Sequence, residues 1–209
     1  MRIINIMAAS VDGMIASSAT ESDAMRQRYG FSNEADRRHL ISQLAQCDAV
    51  IVSAHSVNIS GGVIRDDRIK QHPTWIMCTN SGMDVNAPAW RYPQVPKWTL
   101  SRHALPVDKV GNVERQCVYG DGCMVETALQ ACQIAGFERI LLFGGGQINR
   151  AFYSAGKVDE LILTVCPVAF GTAQGVPLIA PDLPAPVRFR IRDARTEQNL
   201  VFIHYLVQS

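Results

Sequence analysis

The chain of 209 residues has little net charge, no closely spaced cysteine pair and no long apolar run. Its 20 lysines and arginines nearly balance 19 acidic residues, and a net charge of +1 gives no general attraction to nucleic acid or to anionic membranes. The longest apolar stretch, residues 161–170, is about half of the ~20 residues that a bilayer span needs. We therefore expect a soluble protein with neither a nucleic-acid nor a membrane partner.

The six cysteines form no Cys-x-x-Cys pair, and several lie within apolar runs, so we interpret them as reduced core residues. No basic leader precedes the first apolar segment, residues 3–7, which already has a strand pattern. Both features predict a cytoplasmic protein. The length suits one large α/β domain, and we predict a single domain over residues 1–209.

Short apolar runs alternate with longer amphipathic segments, a pattern typical of parallel strands joined by crossover helices. One helix is predicted from a cap at Ser32 or Asn33 to about Cys47, a second follows Gly122 and ends at Gly136, and a third begins after Gly146 and stops at Gly156. Strands are predicted near residues 2–9, 48–54, 74–79, 97–101, 117–119, 139–143 and 159–168, followed by a C-terminal hairpin. The predicted fold class is α/β.

The first strand of that hairpin alternates apolar residues with arginines, Val187, Phe189 and Ile191 against Arg188, Arg190 and Arg192. This is the period of a half-buried antiparallel strand. Arginines can bind phosphates, but the polar face of a terminal hairpin is ordinarily solvated. No site is assigned to them from the sequence.

The strongest local signal is an apolar strand, residues 139–143, that runs into Gly144, Gly145 and Gly146 and then into a helix. Glycine lets backbone N–H groups approach a phosphate without a Cβ between them, and a helix N-terminus adds oriented donors. The run is neither the G-x-G-x-x-G fingerprint nor a P-loop. A diphosphate cradle and a tight strand-to-helix turn both fit it.

Three other predicted strands also end in small or polar residues, in segments 8–16, 50–57 and 78–82. Small residues at a strand end leave room for a flat ring against the backbone. Open α/β sheets bind ligands at the carboxyl ends of their strands. A simple turn is the alternative interpretation of each segment.

Together these segments resemble the reductase domain of riboflavin biosynthesis, a family that shares its fold with dihydrofolate reductase. The resemblance rests on residues 9–13, on residues 47–52 and, most specifically, on the stretch from Phe143 to Gly171. It implies a dihydrofolate reductase-like three-layer sandwich, with a mostly parallel central sheet, flanking helices and a C-terminal antiparallel hairpin. It also implies a homodimer.

The resemblance further implies an NADPH site and assigns its parts. Ala9 and Ile15 are implied beside the nicotinamide, Ser53, Ser56 and Val57 beside the ribose and diphosphate, Asn80 and Ser81 beside the adenosine end, and Gly144, Gly145, Gly146, Gln147 and Ile148 around the diphosphate. The family's reaction transfers hydride from the nicotinamide to the sugar carbon of a ribosylaminopyrimidine phosphate, which opens the ribose to a ribityl chain. The protein mainly aligns donor and acceptor.

Two departures from the family concern the substrate. Phe143 stands where the riboflavin enzymes commonly carry a substrate-contacting glutamate, and Met14 stands where a lysine commonly follows the Asp-Gly turn. We therefore expect retained cofactor contacts and a different pyrimidine, pteridine or other unsaturated nitrogen compound as substrate. A dihydrofolate or pterin reductase and an NADPH-binding protein without turnover are the alternatives.

Few residues offer acid–base chemistry. Asp12 is the single acid beside the expected nicotinamide pocket, and it is either a turn former or a catalytic proton donor. Tyr29 and Ser32 are expected in the family's substrate-facing loop, and Phe143 is the third expected substrate contact. The histidines show no metal-ligand spacing and the zinc deaminase motifs of the bifunctional relatives are absent, so no metal is predicted.

Overall fold

A computed structural model describes residues 1–60, 62–84 and 86–208. Its strands are β1 (Arg2–Ser10), β2 (Met14–Ala16), β3 (Ala49–Ser53), β4 (Thr74–Cys78), β5 (Lys97–Ser101), β6 (Arg115–Val118), β7 (Arg139–Leu142), β8 (Glu160–Cys166), β9 (Val176–Pro177), β10 (Arg188–Glu197) and β11 (Leu200–Gln208). Its α-helices are α1 (Asp23–Arg28), α2 (Glu34–Leu44), α3 (Ala54–Ile59), α4 (Met124–Ile134) and α5 (Gly146–Ser154). Short 3-10 helices span Pro88–Arg91 and Val107–Lys109.

Nine strands form one sheet in the spatial order β10-β11-β8-β1-β7-β3-β4-β5-β6. The seven strands from β8 to β6 pair in parallel, whereas β11 pairs antiparallel with both β8 and β10. A small separate sheet joins β2 to β9. The predicted mostly parallel sheet with a C-terminal antiparallel hairpin is therefore confirmed.

Helices cover both faces of this sheet. Successive residues of a strand point to opposite sides, so neighbouring residues of β1 pack against different helices. Ile4 of β1 packs in a cluster with residues of α2 and α3, while its neighbour Ile3 packs in a second cluster with residues of α4 and α5. The layers are thus helix, sheet and helix, the predicted three-layer arrangement.

The predicted helix ends follow from local chemistry. The Asn33 side chain accepts hydrogen bonds from the backbone N–H groups of Ala35 and Asp36 and so caps α2. Gly136 and Gly156 adopt φ angles of +73° and +61° just beyond α4 and α5, a conformation that favours glycine. Helices α1 and α3 were not predicted, because six residues are too few to establish a helical period.

One detail of the hairpin prediction is wrong. Val187 and Phe189 pack against the core as the alternation requires, but Ile191 is 58% exposed. The pairing of β10 with β11 shifts register between Ile191 and Asp193, and such a bulge interrupts strict alternation.

The loop that follows β4 is part of the core. Within its described residues, 81–84 and 86–96, Met83, Ala89 and Val95 are buried beside Val57 of α3. The Trp90 indole N–H donates to the Asp84 carbonyl at 2.8 Å. Among the described residues no helix is both long and apolar enough to cross a membrane.

Candidate functional site

The glycine turn, Ser53 and Ser56 meet at the carboxyl edge, the side of the sheet where its parallel strands end. Strand β1 pairs with β7 only as far as Asn5, but it pairs with β8 up to Ser10. Over the last residues of β1, the backbone edge that faces β7 therefore has no strand partner among the described residues. This notch lies where the chain order of the strands reverses, between β1 and the pair β7 and β3, the usual place for a ligand in an open α/β sheet.

The three glycines form a close-packed turn beside this notch. Gly145 precedes α5 with φ +100° and ψ 146°, a conformation that is essentially restricted to glycine. A Cβ on Gly145 would lie 3.6 Å from Ser56 Oγ and 3.8 Å from Ser53 Cβ. The Ser53 N–H also donates to the Gly144 carbonyl at 3.1 Å. The turns that follow β7 and β3 are thus direct neighbours.

This turn presents unused hydrogen-bond donors. The first N–H groups of a helix have no partner within it. Among the described residues, the backbone N–H groups of Gly145, Gly146, Gln147 and Ile148 donate no hydrogen bond to another group. Gln147 is exposed and Ile148 is partly buried against the core, while Val57 is 1% exposed, so its side chain belongs to the core.

A network of buried polar side chains lies against the glycine turn and contacts it through Asn149. The sequence analysis did not predict this network. The Asn5 amide donates to the Leu142 carbonyl at 2.8 Å and to Asn149 Oδ1 at 3.2 Å. The Asn149 amide in turn donates to the Leu178 carbonyl at 2.7 Å, and the Tyr153 hydroxyl donates to Asn5 Oδ1 at 3.2 Å. Burial raises the pKa of the Tyr153 phenol, which stays protonated and remains a donor.

The contact between Asn149 and the turn is tight. A Cβ on Gly144 would lie 2.1 Å from Asn149 Oδ1, and a Cβ on Gly146 would lie 2.8 Å from the Pro177 carbonyl oxygen. Both positions therefore admit only glycine without rearrangement. In the sequence, Asn149 lies three residues after Gly146, in the first turn of the predicted helix. A side chain at that position points back toward the glycine turn.

The residues expected beside the nicotinamide form one apolar cluster. Ala9 and Ile15 are 3% and 5% exposed, and they pack with Phe143, Val176 and Leu178. Their side chains are therefore covered, and a ring in the notch would meet the backbone edge of β1 and the partly buried Phe143. The Phe143 ring also meets the Trp75 ring edge to face, at 6.5 Å between centroids.

Asp12 anchors the loop that follows β8. Its carboxylate accepts hydrogen bonds from the Ser10 hydroxyl at 2.5 Å, from the Gly171 N–H at 2.8 Å and from the Phe170 N–H at 3.2 Å. These bonds, with the Ser10 hydroxyl contributing most, lower the pKa of Asp12 from 3.8 to about 2. The carboxyl is ionised at neutral pH and holds no proton to donate, which favours the turn-forming interpretation.

Tyr29 reaches the same loop, whereas Ser32 does not lie against it. The exposed Tyr29 ring meets Phe170 edge to face at 6.1 Å. The Ser32 hydroxyl donates to the Asp36 carboxylate at 2.8 Å, at the start of α2, and the adjacent Asn33 amide donates to the Gln198 carbonyl in the hairpin turn. A substrate role for either residue stays a prediction.

Asn80 lies two strands away from the glycine turn, with an arginine that the sequence analysis missed. Its Oδ1 accepts hydrogen bonds from the Arg102 N–H at 2.9 Å and from the Tyr119 hydroxyl at 3.1 Å. The Arg102 guanidinium is half exposed and pairs with Asp121 at 2.8 Å. Ser81 lines a separate cavity of about 520 Å³. The other residues of its wall are Gly82, Met83, Asp84, Asn86, Asp108 and Lys109.

Metal ligands do not gather in the part of the chain that the structure describes: no group of three or more His, Cys, Asp or Glu side chains could hold an ion there. The five buried cysteines are free thiols in that part of the chain, and Cys123 is exposed. Burial raises the pKa of Cys78 and Cys166 to about 12, so these thiols stay protonated. The expectation that the protein needs no metal stays a prediction.

One family model and several solved structures match this chain. The family model described as the RibD C-terminal domain matches residues 2–201. A pyrimidine reductase-like protein of Corynebacterium diphtheriae is similar in structure, with a TM-score of 0.78 at 19% identity over 100% of this chain and 92% of that one. No curated protein matches the chain in sequence.

Two further structures extend the likeness. The diaminohydroxyphosphoribosylaminopyrimidine deaminase/5-amino-6-(5-phosphoribosylamino)uracil reductase of Thermotoga maritima gives a TM-score of 0.76 at 15% identity, over 99% of this chain and 56% of that one. Dihydrofolate reductase of Enterococcus faecalis, in complex with NADP(H), gives 0.58 at 12% identity over 100% and 97%. The chain thus spans little more than half of the bifunctional protein, and the predicted dihydrofolate reductase-like fold is confirmed.

Proposed function

Because the chain belongs to the RibD C-terminal domain family, we propose that it is an NADPH-dependent reductase resembling 5-amino-6-(5-phosphoribosylamino)uracil reductase. Its substrate would be a ribosylaminopyrimidine phosphate or a related unsaturated nitrogen heterocycle. The observation that carries the proposal is the glycine turn at the carboxyl edge, with its free N–H groups beside Ser53 and Ser56.

The residues present fit the diphosphate of a dinucleotide. A side chain at Gly145 would extend into the space beside Ser53 and Ser56, and the first N–H groups of α5 lie at the positive end of this helix. The Ser56 hydroxyl and the Ser53 Cβ border the same space. This arrangement suits an anion that needs close contact with the backbone.

Selectivity for the 2′-phosphate is assigned to Arg102. Its half-exposed guanidinium stands at the carboxyl end of β5, next to Asn80, which the resemblance places at the adenosine end. The Asn80 side-chain oxygen Oδ1 accepts the Arg102 backbone N–H, and a guanidinium matches the geometry of a phosphate group. NADPH should therefore bind more tightly than NADH.

The reduction requires alignment of donor and acceptor in the notch beside β1. When bound, the nicotinamide supplies the hydride. The backbone edge of β1 and the Phe143 ring would bound the ring's position, and Phe143 replaces a polar contact to the substrate with an apolar surface. Because Asp12 is ionised and occupied by three hydrogen bonds, we assign it to positioning of the 168–171 loop and leave proton delivery to solvent.

A turnover assay tests the proposal. The loss of NADPH absorbance is followed with ribosylaminopyrimidine phosphates, dihydrofolate and pterins in parallel, and Gly145→Asp serves as the cofactor-site control. Oxidation of NADPH by a ribosylaminopyrimidine phosphate or a related heterocycle, lost in Gly145→Asp, is the expected result. Oxidation by dihydrofolate or a pterin alone would identify the second reductase class.

Tight NADPH binding without oxidation by any of these compounds would instead favour a binding protein without turnover. The departures from the family at Phe143 and Met14 are the reason for this alternative. Failure of NADPH to bind would contradict all three hypotheses, namely the pyrimidine reductase, the dihydrofolate or pterin reductase and the binding protein without turnover. The homodimer and the cytoplasmic location stay predictions.

A further inference from the structure

A cavity separate from the glycine turn lies at the amino edge of the sheet, where β1, β7 and β8 begin. It has a volume of about 320 Å³, at the small end of the range for ligand sites. We call it the basic cavity. It is lined by Arg2, His39, Gln43, Gln46, Arg139, Glu160, Ile162, Arg192, Asp193, Arg195, Phe202, Ile203 and His204.

Positive charge exceeds negative charge in this cavity. Four arginines face two carboxylates, Glu160 and Asp193. Glu160 is buried, and its carboxylate is shared by three basic groups, Arg2 at 3.1 Å, His204 at 2.5 Å and Arg192 at 3.9 Å. Glu160 cannot neutralise both Arg2 and Arg192, and four guanidinium groups line the cavity against two carboxylates, so the cavity keeps a net positive field.

The Arg139 guanidinium forms no ion pair among the described residues, and the nearby Asp48 carboxylate accepts the Arg139 backbone N–H at 2.9 Å. The guanidinium donates instead to the neutral Gln43 side chain at 2.7 Å. Arg195 is held in place by Glu197 at 2.5 Å and by the Phe202 ring, which lies 4.1 Å from the guanidinium carbon. Both guanidinium groups are therefore fixed in orientation before any ligand arrives, which lowers the entropy cost of binding.

Two polar atoms in the cavity wall are shielded from solvent and have no hydrogen-bond partner among the described residues. They are Arg139 Nε and His39 Nε2. A buried donor without an acceptor costs about 1–3 kcal/mol, and native proteins rarely leave one unexplained. A solvated arginine cluster would keep its donors in water, whereas the Arg139 Nε–H needs an acceptor placed inside the cavity, and His39 Nε2 is a second unsatisfied polar atom in the same wall.

We propose that the basic cavity binds a small ligand through a phosphate group, at a site separate from the cofactor cleft. Arginine forks match phosphate oxygens in pairs, and the excess positive charge favours a dianion over a single carboxylate. The six residue steps from Arg139 to Gly145, at ~3.3 Å each, separate the two sites by roughly 20 Å at most. Strands β1, β7 and β8 run from the basic cavity to the candidate active site.

Calorimetric titration with inorganic phosphate and, separately, with glycerol 3-phosphate tests this proposal. It is performed at low ionic strength and repeated with chloride at equal ionic strength, because salt screens nonspecific attraction. We expect saturable binding with one phosphate group per chain. Tighter binding of glycerol 3-phosphate would identify a phosphate monoester as the ligand, and tighter binding of inorganic phosphate would identify the free ion.

Two variants and one matched control locate the site. Arg139→Gln and Arg192→Gln should each weaken phosphate binding at least tenfold. Arg190→Gln removes the same charge from an exposed position of the same hairpin, outside the cavity, and should leave the affinity within twofold of the wild type. NADPH affinity should stay within twofold in all three, which separates this site from the proposed cofactor cleft.

Two results would overturn the proposal. The first is the absence of saturable phosphate binding by the wild-type protein. The second is equal weakening by Arg190→Gln and Arg192→Gln, which would mean that the general surface charge, and not the cavity, attracts phosphate. Since Arg192 lies on the exposed hairpin, its variant keeps the test valid even if Arg139→Gln impairs folding.

Discussion

The Asp12 carboxylate accepts a hydrogen bond from the Gly171 N–H at 2.8 Å and so joins the turn after β1 to the loop after β8. Gly171 adopts a φ of +58°, and its N–H points back across the end of the sheet. A residue that the sequence offered as the one candidate acid is thereby committed to shaping the cleft. The negative charge of the Asp12 carboxylate, and not a proton on it, stabilises the loop after β8.

Asp12→Asn should make the protein less sensitive to acid. The folded-state pKa of Asp12, about 2, lies below its ordinary value of 3.8, so its contribution to stability is present above pH 3.8 and is lost as the pH falls through 2. Wild-type stability should fall across this window more steeply than that of Asp12→Asn, as measured by urea unfolding at each pH. Asp67→Asn, at an exposed surface pair, is the control and should keep the wild-type slope. Equal slopes in the wild type and in Asp12→Asn would contradict the anchoring role.

Arg102→Gln should reduce the preference for NADPH over NADH. Loss of the guanidinium removes a charge-assisted contact to the 2′-phosphate, a group that NADH lacks, so NADPH affinity should fall at least tenfold, equivalent to ~1.4 kcal/mol, with NADH affinity unchanged. Titration of both cofactors by fluorescence measures the two affinities. Arg91→Gln, at an exposed arginine of the loop after β4, should change neither. A parallel loss for both cofactors would place the 2′-phosphate elsewhere.

Gly144→Ala and Asn149→Ala should be energetically coupled. The new Cβ would overlap Asn149 Oδ1, and overpacking of this kind costs about 1–3 kcal/mol. Asn149→Ala removes that oxygen, at the cost of an unpaired Leu178 carbonyl. In the double variant the Gly144→Ala penalty should shrink by at least ~0.5 kcal/mol in unfolding measurements. Additive effects would show that the two residues do not support each other.

The sequence was sufficient to predict most of the sheet and three of the five helices, because apolar runs and capping residues are local signals. Asn33, Gly136 and Gly156 stand at helix ends where their chemistry requires them. It also located the glycine turn, since three glycines after a strand have few other uses. The order of the strands could not be derived from local patterns, because β7 enters between β1 and β3 from far along the chain.

The parts of the site that sequence reasoning missed depend on contacts between distant segments. Asn5 and Asn149 are 144 residues apart, and neither has a local pattern that announces a buried hydrogen bond. Arg192 looked like one of three equivalent solvated arginines, but it lines the basic cavity because a bulge after Ile191 changes the register of the strand. Ala9 and Ile15 are expected beside the nicotinamide, which stays a prediction, and their packing against Val176 and Leu178 joins segments that are far apart in the sequence.

The central claim, that the glycine turn binds the diphosphate of NADPH, is tested most directly by cofactor titration of two variants at one position. Gly145→Asp and Gly145→Asn share their size and their backbone strain, and differ in one negative charge. Gly145→Asp should bind NADPH at least tenfold more weakly than Gly145→Asn, because its carboxylate would face the diphosphate. Gly156→Asp, at the other end of α5, should bind as the wild type does. Equal affinities for the two Gly145 variants, or an affinity unchanged from the wild type, would contradict the account.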